Sequence, residues 1–370
     1  MPEGTEVPTV GLVAHADTNP EGKAEDGSAP NPKVITYEGG DIRLCNNDEI
    51  ICVSENPHLE GLVGQDIVVT DGKSLLGGDD KAGIVEIIFA LKHLVEHPEI
   101  KHPNIRVAIV PDEEIGGQVR HLTRTEGQNN DKVMVLDRDK WNVNQAYTVD
   151  GGELSEYSVE TFNAVMAKVT IAGKLVHPKD GKALGLLNAS TLTMHFLELL
   201  DRRLMPCERS EGREPHTTVL AINGNMAQMT IKVLLRGFEQ SEIDYQKDTI
   251  DSICDALNNM FHDGKFEVEF EDSYKNMAVY LAEHPMVENL LIQAIEMQGL
   301  TLIKEAIRGG TDGSRLSELG CLCPNIFTGT MNMHAKTEHL VLEWAYQTVG
   351  VLINLMALWG VWAIQKIKAS

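Results

Sequence analysis

A chain of 370 residues with a formal net charge of −23 is too acidic to hold nucleic acid or an anionic membrane through its overall field. With 42% hydrophobic and 24% charged residues it has the composition of a soluble globular protein, long enough for two domains. The six cysteines (Cys45, Cys52, Cys207, Cys254, Cys321 and Cys323) form no Cys-x-x-Cys pair and no disulfide framework, so reduced, mostly buried thiols are expected.

Residues 1–8 are polar and acidic and lack the basic start of a signal peptide, so a cytoplasmic location is expected. Residues 9–14 (TVGLVA) read as a strand that runs into His15 and Asp17. The stretch 19–40, rich in Pro, Gly and charge, reads as a surface loop, and 67–70 (IVVT) as a short strand. From Lys81 a helix is expected, with Ile84, Ile88, Leu91 and Val95 as its apolar stripe; it ends near His97-Pro98. Residues 105–110 (IRVAIV) are apolar on both faces, which predicts a strand in the middle of a covered, mostly parallel sheet. A polar loop at 121–132 separates it from strands at 133–136 and 146–149.

The middle of the chain changes character. A strand at 165–171, a helix at 185–202, strands at 217–222 and 228–235, a helix at 239–262 and a strand at 266–270 give the order βαββαβ of a ferredoxin-like domain. The expected division is residues 1–162, an insertion over 163–272, and a return to the first domain over 273–370. In that return, a helix at 285–298, a strand at 300–306, a glycine turn at 308–313 leading into a helix, and a strand at 325–328 follow one another. A terminal helix is expected to start near Glu338. It carries no charge between Glu343 and Lys366, but Gln347, Asn354 and two glycines favour a buried helix over a membrane span.

Histidines and acids collect at the carboxyl ends of the proposed parallel strands, where open α/β sheets place their sites. His15 and Asp17, two apart in extended chain, point to the same side. Gly77 and Gly78 permit a tight turn that delivers Asp79 and Asp80 to the mouth of a helix, where carboxylates are favoured. Glu113, Glu114, Asp150 and His334 complete the set. Each has an ordinary reading alone: a hydrogen-bonded strand histidine, a capping turn, an acidic loop, a turn aspartate, a surface histidine. Together they crowd negative charge at one sheet edge, which calls for cations. Two histidines and three carboxylates suit two divalent ions, zinc foremost, and a shared carboxylate would hold these about 3.5–4 Å apart.

Seven stretches carry a resemblance: AHADTNP (14–20), TDGKSLLGGDDKAG (70–83), VPDEEIG (110–116), AYTVDGGELSE (146–156), EDSYKNM (271–277), IRGGTDGSRLS (307–317) and CPNIFTGTMNMHAKTEH (323–339). Through them the chain resembles the M20 di-zinc metallopeptidases, and among these the tripeptide aminopeptidases. The resemblance implies an α/β zinc domain of the di-zinc exopeptidase type with an inserted lid, two Zn2+ per chain, and short peptides as substrate. It implies Asp79 as the shared ligand, His15 and Asp150 completing one zinc, Glu114 and His334 the other, and Glu113 as general base. Asp17 would accept the second ring N–H of His15, and the Asp79–Asp80 peptide bond would be cis. His177 would stabilise the oxyanion from the lid, and Arg308, with Arg236, would bind the substrate's terminal carboxylate. An open turn at Gly309 and Gly310 suits a guanidinium that reaches into a cleft. The family carries a longer segment before the His-x-Asp strand, which here starts almost at once, so a helix and a sheet strand of the family's are expected to be missing from this sequence. Its lid motifs His-Pro-Gly and Arg-Asp-Phe-Asp stand here as His177-Pro178-Lys179 and Arg236-Gly237-Phe238-Glu239, changes that touch substrate contacts rather than metal ligands. Two other readings stay open. One is an M20 amidohydrolase of different specificity (dipeptidase, carboxypeptidase or N-acyl amino acid deacylase). The other is a truncated, non-catalytic relative. The sequence does not set the oligomeric state; a homodimer is the assembly allowed for, with no nucleic-acid or membrane partner.

Overall fold

The structure, a computed structural model, describes residues 8–44, 49–127 and 133–369. Cys45, residues 1–7 and the 128–132 part of the expected loop lie outside the described residues. The chain forms two units, one of Met1–Val159, Met277–Glu305 and Thr311–Ser370, the other of Glu160–Asn276 and Ala306–Gly310. The first crossing thus falls three residues before the expected boundary and the second four residues after it. The short 306–310 segment joins the second unit, where Phe162 N–H donates to the Ile307 carbonyl.

The first unit is built on a six-stranded sheet in the order Ile303–Lys304, Glu156–Ser158, Asn325–Phe327, Gln145–Gly151, Thr9–His15, Asn104–Val110. All neighbours are parallel except Glu156–Ser158 against Asn325–Phe327. Val10, Leu12 and Val13 are fully buried because Thr9–His15 has a strand on each side and packed layers on both faces. The register sets His15 against Val110 and Val13 against Thr148. The carboxyl ends of three strands therefore lie side by side, carrying His15, the 111–114 turn and Asp150.

Several expectations are corrected. Asn104–Val110 is the edge strand, not a central one: Val107 is 38% and Ile109 49% exposed, while Ala108 and Val110 on the opposite face join a core with Val13, Trp141 and Ala146. The helix runs Gly78–Glu96, and its buried face is Ala82, Gly83, Glu86, Ile87, Ala90 and Leu94. Two of the expected stripe residues face outward, Ile88 at 52% and Val95 at 80% exposed. Close approach decides this: a Cβ on Gly83 would lie 1.9 Å from the Val149 carbonyl oxygen, so the small-residue face is the one that meets the sheet. The 19–40 stretch contains a strand, Lys33–Thr36, paired with Asp66–Val69, and 121–132 contains Thr123–Glu126, paired with Val133–Leu136. The strand expected at 300–306 is only Ile303–Lys304.

The last helix begins at Leu342 rather than near Glu338, because His339–Val341 is taken into a second, antiparallel sheet beside Asp66–Val69. This helix, Leu342–Ala369, is long and apolar enough to cross a membrane. Here Val351, Leu352, Leu355, Met356 and Trp359 are fully buried, and Trp359 Nε1–H donates to the buried Tyr147 hydroxyl at 3.0 Å. It is a core helix of the first unit.

The second unit is a four-stranded antiparallel sheet in the order His216–Gly224, Gln228–Gly237, Asn163–Ala172, Lys265–Tyr274. Alternation at Val165, Ala167, Val169 and Ile171 buries one face under the helices Ala189–Arg203 and Gln240–Met260. The helix starts are fixed by side chains: Asn188 caps the first and Glu239 with Glu242 forms a capping box on the second. With its connections this is the βαββαβ order of a ferredoxin-like fold. The described cysteines are all free thiols; Cys254, Cys321 and Cys323 are buried, while Cys52 and Cys207 are half-buried.

Candidate metal centre

Three strand ends, one glycine turn and the turn after the short strand Thr330–Met331, all of the first unit, bring the expected ligands together. His15, the last residue of its strand, is almost wholly buried. Its Nε2 lies 2.8 Å from Asp79 Oδ1 and 3.5 Å from Asp150 Oδ1. Asp79 follows Gly77, whose φ of 78° is the left-handed turn that only glycine adopts freely, and the Asp79–Asp80 bond is cis. The other oxygen, Asp79 Oδ2, lies 3.1 Å from His334 Nε2, which is also 3.0 Å from Glu114 Oε2. His15, Asp79 and Asp150 thus form one cluster and Asp79, Glu114 and His334 a second, each with one donor atom per residue inside a 4.8 Å span. Asp79 belongs to both. Asp112 and His334 hold left-handed φ of 67°, an uncommon conformation for residues with side chains that here aims the neighbouring acids and the histidine.

The charges are unbalanced without cations. Burial acts to lower the pKa of His15, but Asp150 and Asp79 override it and hold the imidazole well above its ordinary range. His334 is pushed up to about 10 by its contacts with Asp79 and Glu114. Burial also works against ionising Asp79, yet the two histidines hold it below the usual carboxylate range. Asp150 rises to about 6 through burial and the charge of Asp79. Glu113 rises to about 9 through burial, then the charges of Asp150 and Asp312. Glu114 Oε1 is buried with no hydrogen-bond partner. Imidazole and carboxylate donors, excess negative charge and an orphaned oxygen all fit a pair of divalent cations.

The Asp17 expectation needs a correction. Its backbone carbonyl takes the closer contact with His15 Nδ1, at 3.1 Å, while the carboxylate lies 3.4 Å away. The two carboxylate oxygens instead accept the backbone N–H groups of Glu113 and Glu114, at 3.1 and 3.2 Å. Asp17 therefore braces both acids at once through part-buried amide bonds while staying beside His15.

Four further residues belong to the site: Asp80, which the sequence placed in the turn without giving it a role, and Glu338, Asp312 and Asn19, which it did not single out. Asp80, fully buried, accepts the His15 N–H at 3.0 Å and the Gly83 N–H at 3.2 Å. Burial, then the charge of Asp150, pushes its carboxyl well up. Glu338 accepts the N–H groups of Gly77 and Asp79. Asp312, buried at the start of the Asp312–Glu318 helix, rises to about 7 through burial and the charge of Asp150. Asn19 touches Glu114 and His334. All four, Asn19 in AHADTNP included, fall inside the motif stretches, which was the available signal.

His177, Arg236 and Arg308 belong to the second unit. His177 caps a short 3-10 turn, its Nδ1 accepting from the Lys179 N–H at 3.3 Å. Arg308 donates to Ser210 Oγ at 2.6 Å and lies 5.3 Å over the Phe162 ring. Arg236 Nη1 donates to the Arg308 carbonyl at 3.2 Å, and its Nε is buried without a hydrogen-bond partner. His216 sits with these two cations; burial and their charges depress it to about 4.

An α/β sheet with two histidine–carboxylate clusters sharing one aspartate at its carboxyl edge defines the metal-dependent hydrolases as the class. The model of peptidase family M20/M25/M40 matches residues 71–357, and the chain belongs to that family. A peptidase T of Staphylococcus saprophyticus is 38% identical over 351 residues, 95% of this chain and 81% of that protein. A peptidase T of Caldanaerobacter subterraneus is 37% identical over 361 residues, 96% of this chain and 82% of that protein. Among solved structures, a tripeptidase of Staphylococcus aureus superposes with a TM-score of 0.71 at 18% identity, covering 98% of this chain and 83% of its own. Aminopeptidase PepT of Bacillus cereus gives 0.68 at 19%, covering 96% and 82%. These two show the likeness of fold.

Proposed function

We propose that this chain is a zinc aminopeptidase of the cytoplasm that releases the N-terminal residue of tripeptides and other short peptides. The observation that carries the reading is Asp79, with one carboxylate oxygen 2.8 Å from His15 Nε2 and the other 3.1 Å from His334 Nε2. The peptide substrate is supported by the curated relatives, which are named peptidase T.

His15, Asp79 and Asp150 would hold one zinc, and Asp79, Glu114 and His334 the other. When bound, the pair supplies Lewis acidity for the scissile carbonyl and for water. Glu113 takes the proton of the attacking water and hands it to the leaving amine. Its carboxyl stands at about 9 because it is buried beside Asp150 and Asp312. Cations that neutralise Asp150 would draw it down toward the neutral range where such a base works. Asp17 keeps Glu113 and Glu114 in register through their backbone amides. His177 donates to the developing oxyanion. Arg308 and Arg236 pair with the substrate's terminal carboxylate; Arg236 is held by the Arg308 backbone carbonyl and keeps an unused buried Nε–H for that role.

The test is turnover of a free tripeptide against its N-acetylated form, with and without chelator. Release from the free peptide alone, lost on chelation and restored by zinc, is the expected outcome. Equal turnover of the acetylated peptide would point to an M20 amidohydrolase of another specificity.

A further inference from the structure

Asn19 is not needed as a ligand, yet its side chain lies against two members of the second cluster. Nδ2 is 3.1 Å from His334 Nδ1 and 3.4 Å from Glu114 Oε2. Its Oδ1 accepts the Glu21 N–H at 2.9 Å, capping the short 3-10 turn Pro20–Gly22. That cap fixes which end of the amide meets the site: the NH2 end, a donor.

The polarity has a consequence for His334. A histidine that ligates a cation through Nε2 keeps its ring proton on Nδ1, and that N–H needs an acceptor. The amide as held by Glu21 offers another donor. Turning the amide over brings Oδ1 to His334 and gives up the cap on Glu21. Both arrangements are within reach of one side-chain rotation, and they compete. The competition concerns the cluster of Asp79, Glu114 and His334, because the cluster residues that Asn19 hydrogen-bonds are Glu114 and His334.

We propose that Asn19 is the positioning residue for the second metal: its side-chain oxygen orients His334, and the rival bond to Glu21 keeps that position weaker than a carboxylate there would make it. The inference rests on the two-metal reading of the site and adds an unequal pair of affinities with a named cause. Asn19→Asp supplies an acceptor at either rotation, as in a carboxylate–histidine–metal arrangement, whereas Asn19→Ala supplies none.

The experiment is a zinc titration of the metal-free protein against a chromophoric chelator, giving two stepwise dissociation constants for wild type, Asn19→Ala and Asn19→Asp. Asn19→Ala is expected to raise one constant by about 10–100-fold, the usual effect of removing such a support, and to leave the other alone. Asn19→Asp is expected to bind that same zinc at least as tightly as wild type. Two unchanged constants in Asn19→Ala, a joint shift of both, or an Asn19→Asp weaker than Asn19→Ala would each overturn the role of Asn19. A wild type that binds no zinc would instead overturn the metal reading on which it stands. Without zinc, Asn19→Asp keeps an acceptor for the Glu21 N–H and is expected to melt with wild type, whereas Asn19→Ala gives up that cap and is expected to melt slightly lower.

Discussion

The Glu338 carboxylate accepts the Asp79 N–H at 2.9 Å with one oxygen and the Gly77 N–H at 2.7 Å with the other. A residue 259 positions away thereby sets the direction of the one carboxylate common to both clusters. Glu338→Gln keeps the size but offers one acceptor and one donor to two donors. A buried N–H left unpaired costs about 1–3 kcal/mol. The variant is expected to lose stability on that scale in denaturant unfolding and to bind both zinc ions more weakly. A loss at one position alone would contradict the link to Asp79.

Glu113→Gln separates base from ligand. Zinc content is expected to stay at the wild-type level while kcat falls by at least about 10²-fold, the low end for general acid–base catalysis. If zinc were lost together with turnover, Glu113 would have to change places with Glu114 in the account.

Zinc uptake should depend steeply on pH. In the metal-free protein His334 stands near 10 and His15 well above its ordinary range, so both are protonated at neutral pH. Ligation removes those protons, and binding therefore releases them. The sign follows: zinc affinity falls toward acid and rises with pH through the range of about 10 where His334 loses its proton, and His15, held higher still, extends the rise. Calorimetry in buffers of different ionisation enthalpy is expected to show about two or more protons released per two zinc ions at pH 7. Absence of proton release would place the histidines outside the ligand set.

Arg308 is tied to Ser210 and lies beside Arg236. Arg308→Ala is expected to raise KM for peptides with a free carboxyl terminus by about 10-fold or more, the scale of one charge-assisted pair, and to spare amidated peptides. Equal effects on both would remove the carboxylate role.

How much of this was legible in the sequence follows from what each residue does. His15, Asp79, Asp150 and His334 are reactive residue types at strand ends or glycine turns, and that placement depends on local pattern alone. Glu338 and Asn19 serve by fixing other residues across long sequence separations, and Asp312 acts through burial and charge beside Asp150; no local pattern encodes either. The same holds for packing. Ile84, Ile88, Leu91 and Val95 make a sound helical stripe, but the Val149 carbonyl selects the Gly83 face. Asn104–Val110 is apolar on both sides, yet its position at the sheet edge is set by which strands pair. Asp17 was placed beside His15 by spacing, while its stronger use, on the amides of Glu113 and Glu114, arises only when two strands lie in register.

The most direct measurement is the zinc content of Asp79→Ala against wild type, by elemental analysis of the folded proteins, alongside tripeptide turnover. Wild type is expected to carry two zinc ions and Asp79→Ala to lose most of both, with no turnover, because each position loses the same ligand. An Asp79→Ala protein that keeps two zinc ions, or loses only one, would contradict the shared aspartate on which the account depends.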